Sequence, residues 1–167
     1  LRARPRTLRP PVRQVGGGRE REELIEDARE AIAHGSRSFS LASRLFDRPT
    51  REKAWLLYAW CRRCDDIADG QEFGWRAHDE ELAEHRIQAL RILTRRALDG
   101  QPTADPAFDA FGQVALEARL TEQMADDVIA GFELDAEGWR PRTEGDLMRY
   151  CYHVAGAVGV MMLHVMG

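Results

Sequence analysis

The feature that most constrains this chain is a succession of helical segments, each with its own start or stop signal. Apolar residues recur at the spacing of one helix face, and the alternation typical of strands does not occur. Asp105-Pro106 and Thr121 are candidate N-caps, and Thr143-x-x-Asp146 resembles a capping box. The sequence therefore predicts an all-α fold, with helices over about residues 20–34, 50–69, 78–98, 106–118 and 121–134, and from 143 to the end. Thr50 is the candidate N-cap of the second helix.

The chain of 167 residues suits one domain, which we place at residues 20–167. Residues 1–19 carry six arginines and no acid, together with prolines and three consecutive glycines, so we expect a flexible basic tail. Serine is absent from this stretch, which argues against a targeting peptide, and no apolar segment indicates secretion.

Charge and cysteine content exclude several classes of protein. The net charge is −4, and outside the tail no basic face for nucleic acid is indicated. The three cysteines favour a reducing compartment, so we expect a cytoplasmic protein. Cys61 and Cys64 form a CxxC pair, but they lie well inside a predicted helix and have no second ligand pair. We interpret them as buried small side chains.

The segment from Ala54 to Asp69 carries the chemistry. At about 100° per residue, Tyr58, Arg62, Asp65 and Asp69 fall on one stripe of a helix whose other faces are largely apolar. A phenol, a guanidinium and two carboxylates on a largely buried helix are unfavourable unless the stripe faces a wet cavity or a cation.

Asp65 and Asp69 are one helical turn apart, where like charges repel. Mg²⁺ would remove that conflict, since it is commonly held by one or two carboxylates and by substrate phosphates. A diphosphate bound in this way becomes a better leaving group. Arg62 could bind the same phosphate oxygens. The alternative is a solvated acidic helix end with ordinary ion pairs.

With these residues in place, the chain resembles the squalene/phytoene synthase family from about His34 to Gly167. The resemblance depends on three blocks in order: Gly35 to Ser40, Tyr58 to Asp69, and Tyr150 to Gly156. The last block, Tyr-Cys-Tyr-His-Val-Ala-Gly, is most similar to bacterial members of the family. The implied fold is the isoprenoid synthase fold, with helices around a central cavity that this chain builds only in part.

The resemblance also implies roles for particular residues. Asp65 and Asp69 would be the first aspartate-rich motif and bind Mg²⁺, with Mn²⁺ as a substitute, and the adjacent Asp66 would lie behind them. Tyr58 and Arg62 would act with them in catalysis. The residues implied to contact substrate are Ser36, Arg37, Ser38, Phe39, Tyr58, Arg62, Asp135, Tyr150 and Val154. A second aspartate-rich motif is expected beyond residue 167, so we interpret the chain as the N-terminal part of a longer enzyme that is inactive alone.

The implied activity is that of a prenyltransferase of carotenoid biosynthesis, which joins two geranylgeranyl diphosphates head to head into phytoene through a cyclopropyl intermediate, prephytoene diphosphate. Three rivals remain open. One is a squalene or dehydrosqualene synthase that uses farnesyl diphosphate. Another is a head-to-tail synthase or terpene cyclase, since residues 65–69 also read DDxxD. The third is a non-catalytic helical partner in a biosynthetic complex.

The remaining signals have ordinary structural interpretations. Residues 154–163 are apolar but too short to span a membrane, so we expect a buried helix. Contact with the inner face of a membrane and with other carotenoid-pathway enzymes is compatible with lipid substrates, although no anchor is visible. His153 has equally good interpretations in the core and in the site. Five aromatic residues are assigned to the core: Trp55, Trp60, Phe108, Phe111 and Phe132.

Overall fold

The computed structural model describes residues 15–70 and 80–167, and in these residues the secondary structure is helical, without strands. It contains eight α-helices: α1 (Arg21–Gly35), α2 (Arg37–Ala42), α3 (Arg48–Ala68), α4 (Glu80–Leu98), α5 (Pro106–Ala118), α6 (Glu122–Ala136), α7 (Glu144–Cys151) and α8 (Ala157–Met166). Two 3₁₀ turns, Val15–Gly18 and Ser43–Leu45, precede α1 and α3, and a π-helical turn, Tyr152–Gly156, joins α7 to α8. The all-α prediction is confirmed.

The helix starts follow the local signals with one exception. Asp105 and Thr121 cap α5 and α6, and Thr143 forms a complete capping box with Asp146 at the start of α7. The prediction of Thr50 as the cap of α3 was wrong. The cap is Asp47, whose Oδ1 accepts a hydrogen bond from the Thr50 backbone N–H at 3.0 Å. Pro49 then lies in the first turn, where a missing N–H leaves no bond unmade.

Helix α3 lies at the centre of the fold and packs most extensively against α5 and α1. Trp60 on α3 stacks on Phe111 of α5 with ring centroids 4.2 Å apart, and its indole N–H donates to Thr94 Oγ1 of α4 at 3.3 Å. Trp60, Phe108 and Phe111 are fully buried, as predicted. Trp55 and Phe132 are only partly buried, so for them the core assignment was incomplete.

The turn Val15–Gly18, which was predicted as part of the flexible tail, packs against α5. Arg19 and Thr103 both donate hydrogen bonds to Asp109, a carboxylate that is only 2% exposed. A Cβ atom on Gly17 would lie 2.4 Å from Asp109, and φ at Gly17 is +64°, so this close approach requires glycine. Residues 1–14 of the predicted tail lie outside the described residues.

The last predicted helix is divided by the π-helical turn, because that turn packs closely against α6. The His153 ring is within hydrogen-bonding distance of the Asp127 carbonyl, with Nδ1 and O 2.9 Å apart, and Tyr152 donates to Asp127 Oδ2 at 2.8 Å. A Cβ atom on Gly131 would lie 2.9 Å from the His153 carbonyl oxygen. Gly131 therefore allows the two backbones to come this close.

One face of α8 is buried, through Ala157, Met161 and Val165. The buried helix expected over residues 154–163 is therefore buried on one face only, since Val154 is 41% exposed and Leu163 is 63% exposed. In the described part of the chain, no helix is both long enough and apolar enough to span a membrane.

Candidate functional site

A cleft of about 380 Å³ lies between α3, α6 and the π-helical turn. Helix α3 contributes three of the predicted site residues to its wall, namely Tyr58, Arg62 and Asp65. Asp135 from α6 and Val154 from the π-helical turn line the same cleft. The structure therefore brings together five predicted residues from three separate segments. The other lining residues are Cys61, Val128, Gly131, Phe132, His153 and Val158.

The guanidinium of Arg62 bridges two carboxylates on its own helix. It donates to Asp65 Oδ2 at 3.3 Å, and its second nitrogen lies 2.7 Å from Asp66 Oδ1. Asp66 lines a separate groove beside α1 rather than the cleft, consistent with a position behind the motif. Burial raises the pKa of Tyr58 above its ordinary value, so the phenol stays protonated and can donate a hydrogen bond.

Asp65 and Asp69 form the acidic end of this stripe. Burial is the largest cause of a raised pKa at Asp65, and the negative charge of Asp69 raises it further. Asp69 is exposed at the C-cap of α3 and does not line the cleft. In the described part of the chain, no group of three or more acidic, histidine or cysteine side chains is arranged to hold a metal. Two carboxylates suit an ion that takes its remaining ligands from water and phosphate, as Mg²⁺ does.

Tyr150 and Asp135 meet at the edge of the cleft. The Tyr150 hydroxyl donates to Asp135 Oδ1 at 2.6 Å, and its ring stacks on Trp139 with centroids 6.1 Å apart. That hydrogen bond raises the pKa of Tyr150, which keeps the hydroxyl protonated. The Asp135 carboxylate accepts no other hydrogen bond from the described residues, so Tyr150 fixes its direction.

The Ser36–Phe39 segment reaches the site only through its last residue. Ser36 Oγ accepts a hydrogen bond from the Phe39 N–H at 3.2 Å and caps α2. Phe39 then stacks on Tyr58 with ring centroids 5.5 Å apart. Arg37 and Ser38 are exposed and do not line the cleft.

Gly35 makes room for the Tyr58 hydroxyl, which would lie 2.3 Å from a Cβ atom at that position. We predict that Gly35→Ala destabilises the protein by about 1–3 kcal/mol, because Tyr58 is held against Phe39 and cannot swing away freely. Thermal or urea denaturation measures this loss. Adding Tyr58→Phe removes the clashing oxygen, so the double variant should recover most of it. Equal losses in the single and double variants would contradict this packing.

Six cleft residues were not predicted as site residues: Cys61, Val128, Gly131, Phe132, His153 and Val158. Phe132 was assigned to the core, His153 was left between core and site, and Gly131 was not singled out. Phe132 and Gly131 lie three and four residues before Asp135, on the same face of α6, and that spacing could have identified them. For His153 the decisive contact, with the Asp127 carbonyl, comes from tertiary packing.

The prediction of two buried cysteines holds for Cys64, whereas Cys61 is only partly buried and lines the cleft. Burial raises the pKa of Cys61 to about 12 and that of Cys64 well above its ordinary value. Neither thiol forms the thiolate that redox or metal chemistry needs near neutral pH.

The described residues have the helical fold of the isoprenoid synthases. A solved structure described as a dehydrosqualene synthase in complex with ligand has this fold. It matches with a TM-score of 0.72 and 26% identity, over 87% of this chain and 48% of that one.

The family profile for squalene/phytoene synthase matches residues 32–167, and the chain belongs to that family. A phytoene synthase from Pseudescherichia vulneris is 47% identical over 146 residues, which is 86% of this chain and 47% of the relative. A 15-cis-phytoene synthase from Pantoea ananas is 43% identical over the same shares of the two chains. This chain therefore spans about half the length of these relatives.

Proposed function

We propose that the complete protein containing this chain is a Mg²⁺-dependent prenyltransferase that joins two geranylgeranyl diphosphates into phytoene for carotenoid biosynthesis. The observation that carries this proposal is the convergence of Arg62 and Asp65 with Asp135 and Val154 in one cleft. It is supported by relatives of 41–47% identity that are named phytoene synthases.

In this proposal Asp65 and Asp69 hold Mg²⁺, or Mn²⁺ in its place. An ion held by these two carboxylates would neutralise the charge that develops on a departing diphosphate. Burial first, and then the negative charge of Asp69, raises the pKa of Asp65, which fits a site completed by a cation.

The other polar residues bind and orient the substrate. Arg62 offers guanidinium donors to the diphosphate oxygens, in place of its present partners Asp65 and Asp66. The Tyr58 hydroxyl is a further donor on the same stripe. Tyr150 keeps the Asp135 carboxylate at the edge of the cleft.

The apolar residues of the cleft, Val128, Phe132, Val154 and Val158, contact the prenyl chain and exclude water. Water exclusion matters because the reaction passes through carbocations. The C1–O bond of one substrate breaks, and the allylic cation adds to the double bond of the other. Loss of a proton closes a cyclopropane. A second ionisation, rearrangement and proton loss then give phytoene without a reductant.

A second candidate substrate is farnesyl diphosphate, which is favoured by the structural match to a dehydrosqualene synthase. The same cleft and the same residue roles would serve this substrate, and only the length of the prenyl pocket would differ.

Other carotenoid-pathway enzymes are the proposed protein partners.

The test is incubation of the complete protein with labelled geranylgeranyl or farnesyl diphosphate, with and without Mg²⁺, followed by product identification. We expect Mg²⁺-dependent phytoene from the longer substrate, and no product from Asp65→Asn. If only farnesyl diphosphate were converted, giving a C30 product, the substrate would be farnesyl diphosphate rather than geranylgeranyl diphosphate. Absence of turnover with both substrates would favour the non-catalytic helical partner.

The proposal also predicts how Asp65 titrates. Its raised pKa means that folding favours the protonated form, so its contribution to stability is present at low pH and is lost as the pH rises through that pKa. Carboxyl NMR of the complete protein should show the Asp65 pKa falling in Asp69→Asn, and also on addition of Mg²⁺ with inorganic diphosphate. Mg²⁺-dependent activity should therefore rise with pH through this pKa. If neither treatment changed the pKa of Asp65, the proposed interaction of Asp65 with Asp69 and with the metal would be wrong.

A further inference from the structure

A second concave surface, separate from the site cleft, lies between α1, the Ser43–Leu45 turn and the start of α3. Its volume is about 580 Å³, and it shares no lining residue with the cleft. Its charged lining residues are three arginines, Arg29, Arg44 and Arg51, and one acid, Glu30. Trp55 lines it as well. The surface is therefore basic and has an aromatic wall.

Two of these arginines form no ion pair with a described residue, although Arg51 interacts electrostatically with Asp47. Arg29 is paired with Glu26 at 2.5 Å, but Arg44 and Arg51 form no ion pair with any residue of the described ranges 15–70 and 80–167. The Arg51 guanidinium lies 5.6 Å from the centroid of the Trp55 ring, and its Nε is buried without a hydrogen-bond acceptor. A buried donor of this kind is unfavourable unless an acceptor is supplied from outside.

Beside this basic pocket, the chain exposes leucines. Leu41 is 60% exposed and Leu45 is 89% exposed. Arg37 and Arg44, both exposed, belong to the same short stretch, and residues 36–46 include no acid. The nearest acids along the chain are Asp47, which caps α3, and Glu30 across the pocket. Exposed leucines interleaved with arginines are typical of surfaces that bind anionic membranes.

The Ser43–Leu45 turn, which presents Leu45, is held firmly. Ser43 is fully buried, and its hydroxyl accepts a hydrogen bond from the Trp55 indole N–H at 3.0 Å while donating to the Ser40 carbonyl at 2.8 Å. Arg44 and Leu45 follow this anchor directly, and both are exposed. The exposure of Leu45 is therefore a fixed feature of the fold.

We propose that this surface, defined by Arg37, Leu41, Arg44, Leu45 and Arg51 and here named the basic corner, docks on an anionic phospholipid bilayer. Arg44 and Arg51 take the headgroup phosphate, and the leucines enter the boundary with the acyl chains. Helix α2 also carries Phe39, which stacks on Tyr58 of the cleft, so docking brings the site close to the membrane.

The test is cosedimentation of the complete protein with vesicles of phosphatidylglycerol and phosphatidylcholine, and with vesicles of phosphatidylcholine alone. We expect binding only to the anionic vesicles, weaker at high salt because exposed charges are screened. Leu41→Ser with Arg44→Asn should weaken binding at least about tenfold. The matched control is Leu116→Ser with Arg119→Asn, an exposed leucine and arginine at the same spacing at the end of α5, and it should bind as the wild type does.

Equal binding to both kinds of vesicle, equal weakening by the two double variants, or no binding at all would overturn the proposal. Calorimetry with inorganic phosphate is the second arm. If phosphate binds and the Leu41→Ser, Arg44→Asn variant loses that binding while vesicles do not bind, the corner is a site for a soluble anion and the lipid proposal fails. Vesicle binding requires no turnover, so its outcome is independent of the proposed reaction.

Discussion

Replacing Asp69 with asparagine is expected to lower Mg²⁺-dependent turnover of the complete protein by at least about 100-fold, because a catalytic cation contributes several kcal/mol to the transition state. Asp69 is exposed at the C-cap of α3, where the helix dipole disfavours a carboxylate. Its side chain makes no hydrogen bond or ion pair within residues 15–70 and 80–167. Its negative charge instead adds to the effect of burial in raising the pKa of Asp65. The local structure thus gives this carboxylate no stabilising role.

The chain contains a matched control for this variant. Asp99 follows α4 as Asp69 follows α3, each is exposed, and each precedes a glycine with positive φ, Gly70 at +67° and Gly100 at +69°. Asp99→Asn should leave turnover unchanged, as measured by product formation from labelled substrate. Asp69→Asn should keep or raise the stability of the metal-free protein by about 0.3–1 kcal/mol, since it removes a charge from a helix C-terminus. A clear loss of stability, or equal loss of turnover in both variants, would contradict the assignment.

Replacing Gly131 with alanine is expected to destabilise the protein by about 1–3 kcal/mol and to lower turnover as well. The new Cβ atom would lie 2.9 Å from the His153 carbonyl oxygen and 3.2 Å from the Val154 nitrogen, both backbone atoms. The π-helical turn would have to move away from α6. Because that turn carries His153 and Val154 into the cleft, its movement changes the cleft wall.

Gly159 provides the comparison for this variant. It lies in α8, and a Cβ atom added there would have no other atom of the described residues within 4 Å. Gly159→Ala should therefore be neutral or stabilising by up to about 1 kcal/mol. Chemical denaturation of the two variants measures the difference. If Gly131→Ala proved as well tolerated as Gly159→Ala, the close approach of the two segments would be wrong.

The parts of the fold that sequence could predict are those set by neighbouring residues. Asp105, Thr121 and Thr143 start helices because each side chain bonds to a backbone N–H two or three residues later. The error at Thr50 has the same local origin, because Thr50 lies in the first turn of α3 and supplies the backbone N–H to which the Asp47 side chain bonds. The stripe of Tyr58, Arg62 and Asp65 also follows from helical periodicity alone.

The parts that sequence could not predict depend on packing between distant segments. Tyr150 reaches Asp135 only because the π-helical turn that follows α7 packs against α6, and the family resemblance implied both residues without indicating that they bond. The π-helical turn depends on the missing side chain of Gly131. Phe132 is apolar and aromatic, as core residues are. Only the position of α3 across from it makes it part of the cleft wall.

The central claim is that Asp65 and Asp69 bind the metal that receives the diphosphate. The direct test is a crystal structure of the complete protein with Mn²⁺ and inorganic diphosphate, in which anomalous scattering locates the metal. We predict a Mn²⁺ ion coordinated by carboxylate oxygens of Asp65 and Asp69, with Arg62 donating to the diphosphate. Mn²⁺ and diphosphate bound elsewhere, with these two carboxylates free of metal, would contradict the account.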